Sequence, residues 1–334
     1  MVDITIAVVG GGRSGRTSLA SRLGKKGSES DIVLYNSSKG FVFVDSVGFP
    51  VSFKSLVSAL NVSDAALLCI PPEGFDVKGG ECIVALDMLG FREGVLVLTM
   101  ADRLNPGTRA ELESKVDAVV SGTLLEGWNR VAVSTTTFEG MDDLKERLGV
   151  LASRLRRRVD SGVRIDIDHF FNVRGVGCVA LGLVKAGMLN VRDKLVLYPL
   201  ERKVEVRSIQ VNDVDVKSAS AGTRVGVALK GVQAKELERG FILCGEDVEI
   251  LLLREVEADC NVSAYSSGFK TGDVLHLFCG LQSTPVRVKS VSGGGGECHV
   301  VLSLEKEIAA AKGDRFLLAQ LNNPKLRLVA WGRI

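Results

Sequence analysis

The sequence has 334 residues, and its 42 basic and 40 acidic side chains leave a net charge of only +2. That near balance excludes a polybasic chain held to nucleic acid by a global field, so any RNA contact must come from a local patch. No apolar run approaches the ~20 residues that cross a bilayer, and residues 1–6 carry no basic leader segment, so neither a membrane nor DNA is expected as a partner.

At ~100–200 residues per domain, the length suggests two or three domains. Residues 4–9 form an apolar run that ends in glycines, and residues 17–23 follow as a helix. Short apolar strands are expected at 32–35 and 41–44, a helix at 52–60, and a strand at 65–70 stopped by Pro71-Pro72. Helix 80–89, strand 95–99, helix 108–120 and strand 131–134 continue the alternation. Helix 142–159 places Leu144, Leu148, Leu151 and Leu155 on one face at helical spacing. Continuously apolar strands alternating with helices imply a mostly parallel sheet covered on both sides. After Gly162 the pattern changes to short strands broken by glycine, such as 179–184, 194–198, 203–210, 225–229 and 241–244, with another set from Val248. Such spacing marks small β-barrels or sandwiches, and residues 293–296 read as a turn between two strands. The expected architecture is an α/β domain over residues 1–161, a β-barrel over 162–247 and a second β-barrel over 248–334.

The seven cysteines are scattered, with no Cys-x-x-Cys pair and no Cys/His cluster of zinc spacing. They read as buried free thiols of a cytoplasmic protein. His276 and His299 read as barrel residues, and no metal site is expected.

The first strand runs into Gly10-Gly11-Gly12-Arg13-Ser14-Gly15-Arg16-Thr17. As a P-loop this matches at Gly10, Gly15 and Thr17, with Arg16 in the lysine position. As G-x-G-x-x-G it matches at Gly10, Gly12 and Gly15. The loop opens a helix in either case, and free helix amides favour an anion. The dinucleotide reading wants an acid at the end of the second strand, where Leu34-Tyr35-Asn36 supplies none. A merely structural tight turn is the third reading. Later strand ends favour a nucleotidase ancestry. Asp45-Ser46-Val47-Gly48 fits D-x-x-G, whose Asp reaches Mg²⁺ and whose Gly amide senses the γ-phosphate. Thr99-Met100-Ala101-Asp102 stands where GTPases carry N-K-x-D, and Ser134-Thr135 where a Ser-Ala backs the base.

With these motifs in order, the chain resembles the SelB branch of translational GTPases, the selenocysteine-specific elongation factors of the elongation factor Tu class, over nearly its whole length. The most specific stretch is Ile165-Asp166-Ile167-Asp168-His169-Phe170-Phe171-Asn172-Val173-Arg174-Gly175-Val176-Gly177. Ala221-Gly222-Thr223-Arg224-Val225-Gly226, Leu237-Glu238-Arg239-Gly240 and Gly313-Asp314-Arg315-Phe316 extend it. The resemblance implies a P-loop GTPase-like domain followed by two β-barrels. It also implies tRNA or another RNA as partner, with the ribosome as a further candidate. Because the sequence ends at Ile334, directly after the third domain, no recoding fourth domain is expected.

The departures from the family fall on the chemistry. A wide guanidinium at Arg16 replaces a slim lysine. Residues 18–44 contain no threonine to serve as the switch residue. Phe49 follows D-x-x-G where elongation factors place a histidine, and it can neither donate nor accept a proton. Thr99 and Met100 remove two of three base-holding groups. At about 1–3 kcal/mol per lost contact, the nucleotide site made of Gly10, Gly15, Arg16, Thr17, Asp45, Gly48, Asp102 and Ser134 is expected to be vestigial. No catalytic residue or cofactor is then expected, GTP with Mg²⁺ entering only if that site still works. The resemblance assigns Asp168, His169 and Arg224 to the charged pocket proposed for a selenol, with Arg224 standing where elongation factor Tu has an asparagine. The alternative is a structural Asp168–Arg224 ion pair. Arg154, Arg156, Arg157 and Arg158 read either as a solvated helix terminus or as a phosphate contact. The function expected is a SelB-like, RNA-binding relative without effective GTPase. The rivals are an active GTP-dependent factor delivering aminoacyl-tRNA and a protein-interaction adaptor.

Overall fold

The computed structural model describes residues 4–29, 32–38, 40–155, 162–294 and 296–334. The chain opens with β1 (Ile4–Gly10), buried along its whole length as a strand covered on both faces must be. Gly15 caps α1 (Arg16–Leu23) with φ 79°, a left-handed conformation that costs glycine little. The chain then makes an antiparallel excursion through β2 (Lys25–Glu29) and β3 (Val33–Asn36), and β4 (Phe41–Asp45) returns parallel to β1.

Next come α2 (Phe53–Asn61), β5 (Ala65–Ile70), α3 (Val77–Met88), β6 (Gly94–Leu98), α4 (Pro106–Val120), β7 (Asn129–Ala132) and α5 (Met141–Arg154). The three middle helices begin at side-chain caps, Ser52, Asp76 and Asn105, each accepting a bond from a first-turn amide. The sheet order is β2-β3-β4-β1-β5-β6-β7. A dinucleotide unit pairs the strand after the first helix directly with β1. Here β2, the strand after α1, lies at the sheet edge beyond β3 and β4, and β4 takes the place beside β1, so that reading falls.

Strand β2 is the one element of this domain that periodicity does not announce, because Lys25, Lys26 and Gly27 carry no apolar alternation. On α5, Leu144, Leu148 and Leu151 are buried as their spacing requires. Residues 156–159 of the expected helix, with Arg156, Arg157 and Arg158, lie outside the described residues. Arg154 is exposed and sits 3.8 Å from Glu93, a surface pair of small energetic weight.

The first barrel comprises β8 (Arg164–Val173), β9 (Gly177–Ala186), β10 (Met188–Asn190), β11 (Lys194–Tyr198), β12 (Arg202–Val211), β13 (Val214–Val216), β14 (Ser218–Ser220), β15 (Arg224–Lys230) and β16 (Ile242–Cys244). Its order β11-β16-β8-β9-β15-β12 is closed by pairing of β11 with β12. The second comprises β17 (Leu251–Val262), β18 (Val274–Cys279), β19 (Gln282–Gly294), β20 (Glu297–Ala310), β21 (Arg315–Ala319) and β22 (Leu328–Arg333), closed in the order β17-β20-β19-β18-β21-β22. Of the turn expected at 293–296, Gly293 and Gly294 instead end β19, β20 opens at Glu297, and residue 295 lies outside the described residues. Closure removes the exposed edges that would otherwise template aggregation.

Each domain has its own apolar core, and all seven cysteines are free and buried. Among the described residues no helix is long and apolar enough to cross a membrane. The chain forms two compact units. One holds the barrels. The other is the α/β domain, which also takes in Leu321–Leu328, the stretch between β21 and β22.

Gly94 opens β6 directly beneath Trp128. A Cβ there would come within 2.2 Å of the indole ring. Gly94→Ala is therefore expected to destabilise the α/β domain by about 1–3 kcal/mol, read as a lower midpoint in denaturant unfolding followed by circular dichroism. An unchanged midpoint would show that the indole moves aside freely.

Candidate functional site

The strand ends of the α/β domain gather the residues that the motifs single out. Gly10 ends β1, Asp45 ends β4, Thr99 follows β6 and Ser134 follows β7. Thr99 Oγ1 donates to Ser14 O at 2.9 Å and lies 3.2 Å from Ile70 O, tying the glycine loop to the end of β5. A threonine in the asparagine position thus serves the loop backbone.

Arg16 is buried and turned onto the D-x-x-G segment. Its Nη1 donates to Ser46 Oγ at 3.0 Å and its Nη2 to Phe49 O at 2.7 Å. The guanidinium carbon lies 5.7 Å from the Phe49 ring centroid, within cation–π range. The two departures at Arg16 and Phe49 are therefore one structural unit, since Phe49 supplies both an acceptor and a flat face.

Thr17 Oγ1 donates to Asp45 Oδ2 at 2.6 Å. Asp45 is fully buried, and its Oδ1 has no hydrogen-bond partner. Burial pushes the Asp45 carboxyl above its ordinary value, against the opposing pull of the Thr17 bond and the Arg16 charge. Thr17 with Asp45 is a donor set that fits Mg²⁺. The phosphate half fits less well. Arg16 spends two donors elsewhere, and the Gly48 amide donates to Ser55 Oγ at 3.1 Å.

The base-holding positions are similarly occupied. Met100 takes a left-handed φ of 55° before a short 3-10 turn that carries the exposed Asp102. Ser134 is buried and accepts from the Thr136 and Thr137 amides at 3.2 and 3.1 Å. A cleft of about 630 Å³ opens beside the glycine loop, lined by Gly11, Gly12, Arg13, Phe75, Asp76 and Met100 among others.

In the first barrel, Asp168 sits where the β8–β9 register shifts, and Arg224 opens β15 on the other side of β9. They form a bidentate pair, Nε to Oδ2 at 3.1 Å and Nη2 to Oδ1 at 2.8 Å. Asp168 is 9% exposed. His169 is exposed, with its ring 6.4 and 5.9 Å from those of Phe170 and Phe171. The fold joins Asp168 to Arg224 across β9 and turns His169 toward solvent.

A second ion cluster explains part of the Gly313-Asp314-Arg315-Phe316 signature. Arg164 Nη1 donates to both Asp314 oxygens at 2.9 and 2.8 Å, and its Nε to Asp166 at 3.0 Å. It joins the two barrels. On β20, the exposed His299 bridges Asp259 at 2.9 Å and Glu257 at 3.2 Å. No group of three or more potential metal ligands occurs among the described residues.

Sequence reasoning missed Glu81, Phe53 and Arg327. Glu81 is fully buried on α3 and bound to Arg327 by three side-chain contacts of 2.6 to 3.2 Å. The available signal was an acidic residue beside the apolar run of α3, a position that requires a buried cation. Nothing local points to Arg327, 246 residues away.

Comparison with known proteins agrees with this architecture. The family model for elongation factor Tu domain 2 matches residues 177–244. A protein of Methanocaldococcus jannaschii named only as uncharacterised is 32% identical over 95% of this chain and 96% of its own length. The selenocysteine-specific elongation factor of the same organism is 29% identical, over 87% of this chain and 67% of that one. The factor of the same name from Desulfomicrobium baculatum is 31% identical, but the chain covers only 46% of it. The crystal structure of elongation factor SelB from Methanococcus maripaludis with the GTP analogue GppNHp superposes with a TM-score of 0.88 at 25% identity, covering 100% of this chain and 79% of that one. A sheet of P-loop type followed by two closed six-stranded barrels, matched over 87% or more of this chain by these relatives, places the chain in the family of SelB and elongation factor Tu-like translation factors.

Proposed function

We propose that this chain is a SelB-like factor that binds tRNA or another RNA through its barrels, in a cytoplasmic setting, and neither binds GTP effectively nor hydrolyses it. The observation that carries the reading is the engagement of Arg16 by Ser46 and Phe49. A lysine in this position reaches the phosphates, whereas this guanidinium is spent on the segment that should sense them. The Gly48–Ser55 bond and the absence of threonine from residues 18–44 add to the same side. On this reading the three domains are residues 1–161, 162–247 and 248–334, and Gly10, Gly15, Arg16, Thr17, Asp45, Gly48, Asp102 and Ser134 are remnants. The bidentate Asp168–Arg224 pair supports an RNA-end pocket with His169 on its solvent side.

Purified protein is expected to carry no guanine nucleotide, and calorimetric titration with GTP or GDP and Mg²⁺ to give no binding tighter than about 1 mM. Arg16→Lys is expected to behave alike, because Thr99 and Met100 remain. Micromolar affinity in either protein would overturn the reading.

Asp45 gives a sign test in pH. Its folded carboxyl lies above the ordinary value, so its ionisation opposes folding at neutral pH, and stability is recovered as pH falls through that raised value. Asp45→Asn is therefore expected to raise the unfolding midpoint at pH 7, with the gain shrinking toward pH 4. A lower midpoint at pH 7 would mean that the ionised carboxylate is doing a job, as it would with bound Mg²⁺.

RNA binding is expected to be weak, about micromolar, and to fall with salt, since phosphate contacts release counterions. Arg224→Ala should weaken binding of aminoacylated tRNA about tenfold, the ~1.4 kcal/mol scale of one charged hydrogen bond, and deacylated tRNA much less. Filter binding at low and moderate salt decides it. No binding at any salt would leave the adaptor reading, and equal losses on both tRNAs would remove Arg224 from the pocket.

A further inference from the structure

We propose that Leu321–Leu328 is a latch whose Arg327 holds residues 46–53, the D-x-x-G segment and the start of α2, in one conformation whether or not nucleotide is offered. The segment packs within the α/β unit. One guanidinium there joins three elements. Toward α3, Nε lies 3.0 and 3.2 Å from the Glu81 oxygens, Nη2 donates to Oε2 at 2.6 Å, and the Arg327 amide donates to Oε1 at 2.8 Å. Toward the D-x-x-G segment, Nη1 donates to Pro50 O at 3.1 Å. The guanidinium carbon lies 5.4 Å from the Phe49 ring centroid and 4.9 Å from that of Phe53, the first residue of α2. Phe49 is thus shared by Arg16 and Arg327.

Three physical points make this a latch rather than ordinary packing. Glu81 is fully buried and Arg327 is 5% exposed, so undocking the segment would strand a charge in the interior of α3. A buried ion pair is a poor way to gain stability compared with an aliphatic contact, but it admits only one pose. The fork must meet a carboxylate, a carbonyl and two ring faces together, which a lysine cannot do. The segment also lies between β21 and β22, both strands of one closed barrel, so it is tethered at both ends and cannot be diluted away. Lys78 adds a second tie, 3.4 Å from Glu81 Oε2 and 3.3 Å from Pro324 O.

Whether the segment is held does not depend on whether nucleotide binds. Hydrogen exchange by mass spectrometry on the full chain tests it. Residues 46–62 of the wild type are expected to be as protected as β5, and unchanged by millimolar GTP or GDP with Mg²⁺. Arg327→Lys is expected to speed exchange there about tenfold or more while β1, β5 and the barrel strands keep theirs. The double variant Glu81→Gln/Arg327→Met leaves no fully buried charge unpaired, Lys78 being partly open to solvent, so it is expected to retain the fold, and it should show the same local loss. Wild-type exchange in residues 46–62 of that folded double variant would overturn the latch. So would loop-like exchange of the segment in the wild type, or a change in its protection on adding nucleotide. Calorimetric binding of nucleotide with exchange unchanged would instead overturn the proposed loss of GTP binding and leave the latch standing.

Discussion

A guanidinium is flat, permanently charged and costly to bury, so wherever one is interior its partners are dictated. Among the described residues the α/β unit holds two such groups, Arg16 and Arg327, and the single ring of Phe49 lies between them. Arg16 satisfies its donors on Ser46 and the Phe49 carbonyl, and Arg327 on Glu81 and the Pro50 carbonyl. Much else in the domain follows from this arrangement. The segment after β4 is held from both sides, α2 begins against Arg327 through Phe53, and α3 can bury an acid because a cation is delivered to it from distant sequence. Replacing one member alone would leave another without its partner, which ties the unusual residues at the glycine loop and after D-x-x-G to each other.

The barrels use charge differently. Arg164 binds Asp166 on its own strand and Asp314 near the start of β21, so the junction of the barrels is specified by a fork with two carboxylates. Burial disfavours the Arg164 charge, and the two carboxylates more than compensate. Asp168 and Arg224 form a smaller version across β9, nearer the surface. That pair uses two of the five arginine donors.

Much of the fold was legible because its causes are local. Apolar runs ending in glycine or aspartate marked β1 and β4, leucine spacing marked α5, and regular glycine breaks marked the barrels. Strand β2 was not legible, since its lysines and glycine owe their extended form to pairing with β3 rather than to any pattern of their own. At the site, the positions of Arg16, Thr17, Asp45 and Thr99 could be read from motif order, but their partners could not. That Arg16 bonds Ser46 and the Phe49 carbonyl, that Gly48 bonds Ser55 and that Glu81 meets Arg327 are facts of three-dimensional closure. A buried acid signals that a cation exists without saying which one.

The distribution of the thiols has a separate consequence. Cys69 and Cys82 lie in the α/β domain, Cys178 and Cys244 in the first barrel, and Cys260, Cys279 and Cys298 in the second, every one buried. Burial raises the pKa of each, to about 12 for Cys82 and Cys260 and about 11 for Cys244, so the thiolate that alkylating reagents and oxidants attack is scarce while the cores are closed. Each core therefore carries its own concealed set of reactive groups. Modification of this protein tracks the opening of individual domains, and the peptide that takes up label names the domain that opened.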